Sequence, residues 1–272
     1  MVSEIIKAAV LGVIQGITEW LPVSSTGHLL IVNRFLRLEG GEEFLNMFKV
    51  VIQFGSILAV ICLYFRALDP FSSKKSKEER LSTSELWIKV FAAAIPAAAA
   101  GFLFEDIIDG VLSSPWVIAA ALIIYGILFI IIENAKKTPV TNKIDKLTLR
   151  QAVGIGLFQT LALIPGTSRS GSTILGGMIL GASRPVASGF SFFLAIPVMF
   201  GASLFKLSGF GFDLSGGELA VLLVGTAVSF IVSVFAIKFL MEYIRKHDFK
   251  AFGIYRICLG IIILLLCMTR GG

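Results

Sequence analysis

The chain has 272 residues, of which 56% are hydrophobic and 15% charged, with a mean hydropathy of +0.88. This composition excludes a soluble domain of ordinary make-up and indicates an integral membrane protein. The net charge of +6 does not point to nucleic acid, because the basic residues are concentrated in the connections between apolar segments. We therefore expect no nucleic-acid partner.

Six apolar segments approach the roughly 20 residues that a helix needs to cross a bilayer. Two further apolar segments, 5–31 and 149–183, are each interrupted near the middle by Pro, Gly and a polar cluster. Backbone that leaves the helix at membrane depth survives only where protein or a water-filled cavity covers it. The sequence thus predicts an all-α polytopic protein with two re-entrant helical hairpins and six transmembrane helices, at about 46–65, 86–104, 115–132, 186–205, 217–241 and 251–269.

The sign of the charge alternates along the connections. Three connections are rich in basic residues: Lys74, Lys75, Lys77 and Arg80; Lys136, Lys137, Lys143, Lys146 and Arg150; and Arg245, Lys246 and Lys250. The acidic residues are Glu39, Glu42 and Glu43; Asp106 and Asp109; and Asp213 and Glu218. By the positive-inside rule the basic connections are cytoplasmic and both termini are external. The alternative is that the basic residues bind a partner or anionic lipid.

The two interrupted segments resemble each other. Residues 12–22 read Gly-Val-Ile-Gln-Gly-Ile-Thr-Glu-Trp-Leu-Pro, and residues 156–165 read Gly-Leu-Phe-Gln-Thr-Leu-Ala-Leu-Ile-Pro. The predicted topology has the first hairpin enter from the external face and the second from the cytoplasmic face. This arrangement is typical of an inverted-topology repeat, whose broken helices meet near the midplane. We therefore expect a single membrane domain over 1–272, with repeats at about 1–134 and 149–272, in which the two interruptions meet.

The interruptions carry polar groups that are costly in hydrocarbon and are therefore functional candidates. They read Pro-Val-Ser-Ser-Thr-Gly-His over 22–28 and Pro-Gly-Thr-Ser-Arg-Ser-Gly over 165–171. In each, a proline ends one half-helix and hydroxyl residues precede another, which we expect to begin near His28 and near Ser172. Free N–H groups at a helix start bind phosphate, and the guanidinium of Arg169 suits phosphate oxygens. The pattern predicts a site for an anion of high charge density.

The same residues match the requirements of phosphoryl transfer. Ser25 is a candidate nucleophile with His28 as its base. Gln15 and Glu19 share one helix face and offer the oxygen ligands that Mg²⁺ or Ca²⁺ prefers. The structural alternatives are serines that only cap helices, a hydrogen-bonded His28, and a salt bridge between Arg169 and Glu19. A transporter or flippase of an anionic lipid or small anion is the alternative function, because it uses the same architecture.

The run from Gln15 to His28, together with 165–171, resembles the bacterial undecaprenyl-diphosphate phosphatases of the bacitracin-resistance type. The resemblance extends over nearly the whole chain. It implies hydrolysis of undecaprenyl diphosphate to the monophosphate carrier of cell-wall synthesis, bacitracin resistance, and a divalent cation, Mg²⁺ or Ca²⁺. The implied catalytic residues are Glu19, Ser25, His28 and Arg169, with Glu19 also binding metal. The implied substrate-binding residues are Ser24, Thr26, Ser168, Ser170 and Thr173. We also predict that Gln15 binds substrate.

The resemblance also implies a multi-pass protein of the bacterial plasma membrane. The short path from the external face to the first interruption predicts an active site that is open to the external side. The expected partners are a polyprenyl diphosphate substrate and membrane lipids. The sequence is compatible with a monomer or a homodimer. A metal-bound water is the alternative nucleophile to Ser25. Many members of the family carry glutamate where this chain has Gln15. An amide excludes acid–base chemistry there but leaves metal coordination or hydrogen bonding, so the carboxylate chemistry falls to Glu19.

Small residues in the apolar segments are assigned structural roles. Glycines four residues apart allow close helix packing, which we expect at Gly12 with Gly16 and at Gly177 with Gly181. The three cysteines, Cys62, Cys258 and Cys267, show no metal-ligand spacing. They are predicted to be buried structural thiols.

Overall fold

The computed structural model describes residues 1–32, 35–36, 38–39, 41–104, 112, 114–210 and 214–269, with the backbone alone at 42 and 205–210. Its described part is helical, and the one pairing of extended backbone there is an isolated bridge between Thr141 and Ala182. The α-helices are α1 (Val2–Thr18), α2 (Ser25–Val32), α3 (Gly41–Leu68), α4 (Lys77–Leu103), α5 (Pro115–Asn134), α6 (Leu149–Thr160), α7 (Arg169–Ile179), α8 (Arg184–Phe210), α9 (Gly216–Lys246) and α10 (Lys250–Met268).

Six helices, α3, α4, α5, α8, α9 and α10, are long and apolar enough to cross a membrane. They coincide with the six predicted segments, so their number is confirmed. Several extend beyond the apolar stretch because capping, rather than hydropathy, marks the helix end. The side chain of Ser76 accepts from the Glu79 N–H, and the Glu79 carboxylate accepts from the Ser76 N–H. This capping box starts α4 well before its apolar stretch.

The interrupted segments form two pairs of shorter helices, α1 with α2 and α6 with α7. The second helix of each pair begins three residues earlier than predicted, at Ser25 and Arg169. The reason is an N-cap serine in each interruption: Ser24 Oγ accepts from the Gly27 N–H at 3.3 Å, and Ser168 Oγ accepts from the Gly171 N–H at 3.2 Å. Both serines have positive φ, 72° and 73°, a conformation that is uncommon for residues other than glycine.

Glycines set the positions of α1 and α6. A Cβ added at Gly12 would lie 2.6 Å from the carbonyl oxygen of Gly225 in α9, and one at Gly156 would lie 2.1 Å from that of Ala93 in α4. The backbones of these helix pairs therefore touch. Gly181 does not have the packing role predicted for it. Its φ of +92° makes it the turn residue after α7, a conformation that favours glycine.

The prediction of buried cysteines is wrong. Cys62 in α3 and Cys258 in α10 are exposed, and Cys267 is half-buried. An apolar segment of a membrane helix faces lipid as well as protein, so hydropathy alone does not distinguish the two. Asp106, Asp109 and Asp213, which define two of the predicted external connections, lie outside the described residues.

Candidate active site

The two polar interruptions meet in the structure, as predicted. Arg169 donates from Nε and Nη2 to Glu19 Oε1, at 3.2 and 3.1 Å. The side chains of Arg169 and Glu19 are 11% and 7% exposed, so the ion pair is largely buried. Ser170 Oγ also donates to the carbonyl oxygen of Leu21, at 3.3 Å. The salt bridge considered as a structural alternative is therefore present, and it lies at the meeting point of the two interruptions.

Gln15 and Glu19 lie on one helix face, as their spacing predicts. Gln15 Nε2 donates to Glu19 Oε2 at 2.8 Å, and both side chains are buried. The other amide atom, Gln15 Oε1, is buried and has no hydrogen-bond partner among the described residues. A buried oxygen without a donor is costly. The pair therefore presents one uncompensated oxygen next to a carboxylate.

The guanidinium of Arg169 is held on two further sides. Its Nη1 donates to the carbonyl oxygen of Ser191 at 2.9 Å, and the Trp20 ring lies 5.3 Å from its Cζ. Thr173, predicted to bind substrate, donates to the Arg169 carbonyl oxygen at 2.8 Å and lies 2.7 Å from Ser191 Oγ. Sequence reasoning missed Ser191 and Trp20. Ser191 is a buried serine within a phenylalanine-rich stretch of α8, and that contrast was the available signal.

Ser25 and His28 are close in sequence but are not hydrogen-bonded to each other in the described structure. His28 Nδ1 lies 2.7 Å from the carbonyl oxygen of Ser24, which can only accept, so this nitrogen carries the proton. Its Nε2 lies 2.6 Å from the Tyr255 hydroxyl, and the two rings stack. The base predicted for Ser25 is thus engaged elsewhere, whereas Ser25 itself is half-buried at the first turn of α2.

The remaining predicted substrate-binding residues surround these helix starts. Ser24 and Ser168 are the N-caps of α2 and α7, which is the capping role considered as their alternative. Ser168 Oγ lies 3.1 Å from Ser170 Oγ, so two hydroxyls adjoin Arg169. Thr26 is exposed on the first turn of α2.

Arg256 of α10 is a second buried arginine at the site, and sequence reasoning missed it. It is 0% exposed. Its Nη1 donates to the carbonyl oxygen of Pro22 at 3.1 Å, and its Nη2 donates to those of Gly166 and Thr167 at 2.9 and 2.7 Å. One side chain thus links both interruptions. The available signal was an arginine inside the last apolar span.

Arg256 has no carboxylate partner among the described residues. Its partners are carbonyl oxygens and the ring of Tyr125, 5.5 Å from its Cζ. Glu19 and Arg169 neutralise each other, so the meeting point carries a net positive charge. This charge favours binding of an anion.

The family model described as bacitracin resistance protein BacA matches residues 8–262. The chain belongs to this family. Among curated relatives of this BacA-family chain is undecaprenyl-diphosphatase 1 of Clostridioides difficile (strain 630), 55% identical over 261 residues, which are 96% of this chain and 95% of the relative. The undecaprenyl-diphosphatase of Enterococcus faecalis is 52% identical over 267 residues, 97% of each chain. That of Acetivibrio thermocellus is 54% identical, over 96% of this chain and 97% of the relative.

A divalent cation, which the family resemblance implies, is compatible with part of this site. Hard cations take carboxylate and amide oxygens, and Mg²⁺ usually completes its shell with water and substrate phosphates. The unpartnered Gln15 Oε1 next to Glu19 is such a donor set. Within the described ranges no group of three or more His, Cys, Asp or Glu residues is available to hold a metal. Gln15 and Glu19 are too few to hold a cation by themselves, so they fit one only as part of a larger coordination shell.

Proposed function

We propose that this BacA-family chain hydrolyses undecaprenyl diphosphate to undecaprenyl phosphate and inorganic phosphate, which recycles the carrier lipid for cell-wall synthesis and confers bacitracin resistance. The observation that carries the proposal is the buried pair of Glu19 and Arg169 at the meeting point of the two interruptions. Relatives that are 55% and 52% identical over 96% and 97% of this chain are named undecaprenyl-diphosphatases, which supports the choice of substrate.

Arg169 is the residue that holds the terminal phosphate in this proposal. Its Ser191 and Trp20 contacts fix the guanidinium without using its carboxylate-facing edge. Phosphate oxygens replace Glu19 at that edge when substrate binds. The free N–H groups at the starts of α2 and α7 add donors, and the charge on Arg256 adds to the electrostatic attraction. Donors that are already oriented stabilise the charge that develops in phosphoryl transfer without reorganising.

The reaction then breaks the bond between the terminal phosphorus and the bridging oxygen. In one route Ser25 Oγ attacks the phosphorus, undecaprenyl phosphate leaves with the bridging oxygen, and water hydrolyses the phosphoserine. In the other, water attacks directly. The attacking hydroxyl or water gives its proton to a base. Glu19 becomes available as that base when Arg169 donates to phosphate oxygens instead of to Glu19. His28 Nε2 is the other candidate base, once the Tyr255 hydroxyl no longer occupies it. Trapping a phosphoserine by rapid quench supports the first route, and its absence supports the second.

Glu19 and Gln15 are proposed to hold a divalent cation when substrate is present. The cation neutralises phosphate charge, which is the usual contribution of Mg²⁺ to phosphoryl transfer. We expect hydrolysis to stop in excess chelator and to return when Mg²⁺ or Ca²⁺ is restored. Full activity in chelator would contradict the cation site and leave the role of Arg169 intact.

The proposed architecture is one domain over 1–272 with two re-entrant hairpins in an inverted repeat, in the bacterial plasma membrane, with the site open to the external side. Three observations support the repeat. Gln15, Ser24 and Gly12 precede Gln159, Ser168 and Gly156 by the same number of residues. The paired serines share the same positive φ. Helix α1 packs on α9 as α6 packs on α4, and these two partners are equivalent in such a repeat.

The decisive experiment measures phosphate release from undecaprenyl diphosphate by the purified full chain in detergent. Without a membrane between two compartments, release reports catalysis, and the flippase alternative predicts none. We expect Arg169→Ala to reduce kcat by about a hundredfold or more, the usual cost of losing a transition-state donor.

The matched control is Arg184→Ala, which removes the arginine of another ion pair, that with Glu133, away from the site. Since losing one partner of a buried pair also destabilises the fold, thermal unfolding of both variants is measured in parallel. Normal turnover in Arg169→Ala would overturn the site.

A further inference from the structure

A cavity of about 800 Å³ lies among the basic connections. None of the residues that line it belongs to the candidate active site. It is bounded by the C-terminal ends of α5, α7 and α9 and by the start of α8. These are the ends that the positive-inside rule assigns to the cytoplasmic face. Its apolar wall includes Ile131, Ile132, Met178, Ile179, Leu180 and Ile244.

Four cations and one carboxylate also line this cavity: Lys136, Lys137, Arg184, Arg245 and Glu133. Arg184 donates to the Glu133 carboxylate from Nε, at 2.8 Å, and from Nη2. The Phe249 N–H donates to the same carboxylate at 2.9 Å. Glu133 is thereby neutralised. The other three cations have no carboxylate partner within the described ranges. The cavity is therefore apolar inside and positive at its rim.

The wall of the cavity is fixed by backbone hydrogen bonds. The Val140 and Thr141 N–H groups donate to the Gly181 carbonyl oxygen at 2.8 and 3.0 Å, and the Ser183 N–H donates back to the Thr141 carbonyl oxygen at 2.9 Å. The connection after α5 is thus tied to the turn between α7 and α8. A pocket with such a wall exists before its ligand arrives, which lowers the cost of binding.

The ligand chemistry follows from the combination of these surfaces. A free anion would leave the apolar wall uncovered, and a neutral lipid would leave the cations unpaired. A lipid with an anionic phosphate headgroup satisfies both, and basic pockets between transmembrane helices on the cytoplasmic side bind such headgroups. Ile131 and Ile179 line the cavity and are also exposed on the outer surface. They therefore offer a path for an acyl chain.

We propose that this cavity binds the phosphate headgroup and the first part of an acyl chain of an anionic phospholipid of the cytoplasmic leaflet. The site is independent of the proposed hydrolysis, because none of its residues contributes to the candidate active site. The same cations also lie near the C-terminal ends of helices, where they interact favourably with the helix dipole even when no ligand is bound. The experiment must distinguish these two roles.

The test uses the full chain in neutral detergent and measures binding of short-chain phosphatidylglycerol by native mass spectrometry. Phosphatidylcholine and inorganic phosphate are the comparison ligands. Lys136→Gln, Lys137→Gln and Arg245→Gln are combined in one variant. At about 1 kcal/mol for each cation, we expect its affinity for phosphatidylglycerol to be roughly a hundredfold weaker than that of the wild type. Neither comparison ligand should bind at the concentrations used.

The matched control removes one cation from the connection between α3 and α4 and two from the first turn of α4: Lys74→Gln, Lys77→Gln and Arg80→Gln. It should bind phosphatidylglycerol within about twofold of the wild type, because bulk charge attraction is not the proposed cause. Ile179→Trp keeps every charge and fills the apolar path, so it should also weaken binding. Equal losses in the control and the cavity variant, binding of inorganic phosphate as tight as that of the lipid, or unchanged binding in Ile179→Trp would each overturn the proposal. Phosphate release by the cavity variant at the wild-type rate verifies its fold.

Discussion

Arg169 and Arg256 are both buried where the two interruptions meet, but their partners differ. Arg169 faces the carboxylate of Glu19, whereas Arg256 faces three carbonyl oxygens. A buried charge without an opposite charge is costly. An anion that binds nearby offsets this cost. The hydrogen bonds of Arg256 offset it as well, because they hold Pro22 and Thr167 in fixed positions relative to each other. Arg256 is therefore a positioning residue that acts through the two interruptions.

Substitution of Arg256 tests this role. We expect Arg256→Gln to lower kcat by about a hundredfold, because misplacement of the interruptions by about 1 Å has a cost of that order. Arg256→Lys should restore part of kcat by keeping the charge, but a single ammonium cannot span carbonyl groups of both interruptions. The measurement is kcat and KM separately, with thermal unfolding. A wild-type kcat in Arg256→Gln would contradict the positioning role, and Arg184→Gln is the matched control.

At the scale of the helices, the sequence predicts which helices form better than it predicts where each helix begins and ends. The six apolar stretches were placed correctly because burial in lipid demands continuous hydrophobicity. Their ends depended on caps, such as the box of Ser76 and Glu79 at α4. The starts of α2 and α7 depended on serines with positive φ, which hydropathy does not report.

The contact between α4 and α6 is a helix-scale prediction. In Gly156→Ala the added Cβ would lie 2.1 Å from the Ala93 carbonyl oxygen, so backbone must move, and we expect a loss of about 1–3 kcal/mol in the free energy of unfolding. Gly201→Ala in α8 is the control, because no atom of the described residues lies within 4 Å of its added Cβ. It should stay within about 1 kcal/mol of the wild type or be more stable. Unfolding in detergent with increasing denaturant measures both, and equal stabilities would refute the close contact.

For the whole molecule, orientation in the membrane is the property that loop charge predicts. Basic residues predominate at or after the C-terminal ends of α3, α5 and α9, whereas Glu39, Glu42 and Glu43 outnumber Arg34 and Arg37 around the start of α3. The positive-inside rule converts this asymmetry into an orientation with the Lys-rich connections in the cytoplasm. The proposed external opening of the active site and the proposed cytoplasmic position of the lipid-binding cavity both depend on this orientation.

Labelling of single cysteines in intact cells tests this orientation. The background replaces Cys62, Cys258 and Cys267, since two of them are exposed. Glu43→Cys should react with an impermeant maleimide from outside, whereas Lys74→Cys should react only after permeabilisation. Both positions are exposed, so access is decided by the side of the membrane. Reaction of Lys74→Cys in intact cells would reverse the assigned orientation.

The sequence by itself determined the features that depend on local chemistry. These are the membrane class, the six spans, the two interruptions, the shared face of Gln15 and Glu19, and the family resemblance. Only the tertiary structure decided which distant groups touch. In the folded chain Arg169 contacts Glu19 and Ser191, and Arg256 contacts both interruptions. His28 contacts Tyr255 rather than Ser25. The physical reason is that hydropathy and spacing report the surroundings of one segment, whereas these contacts depend on how separate helices pack.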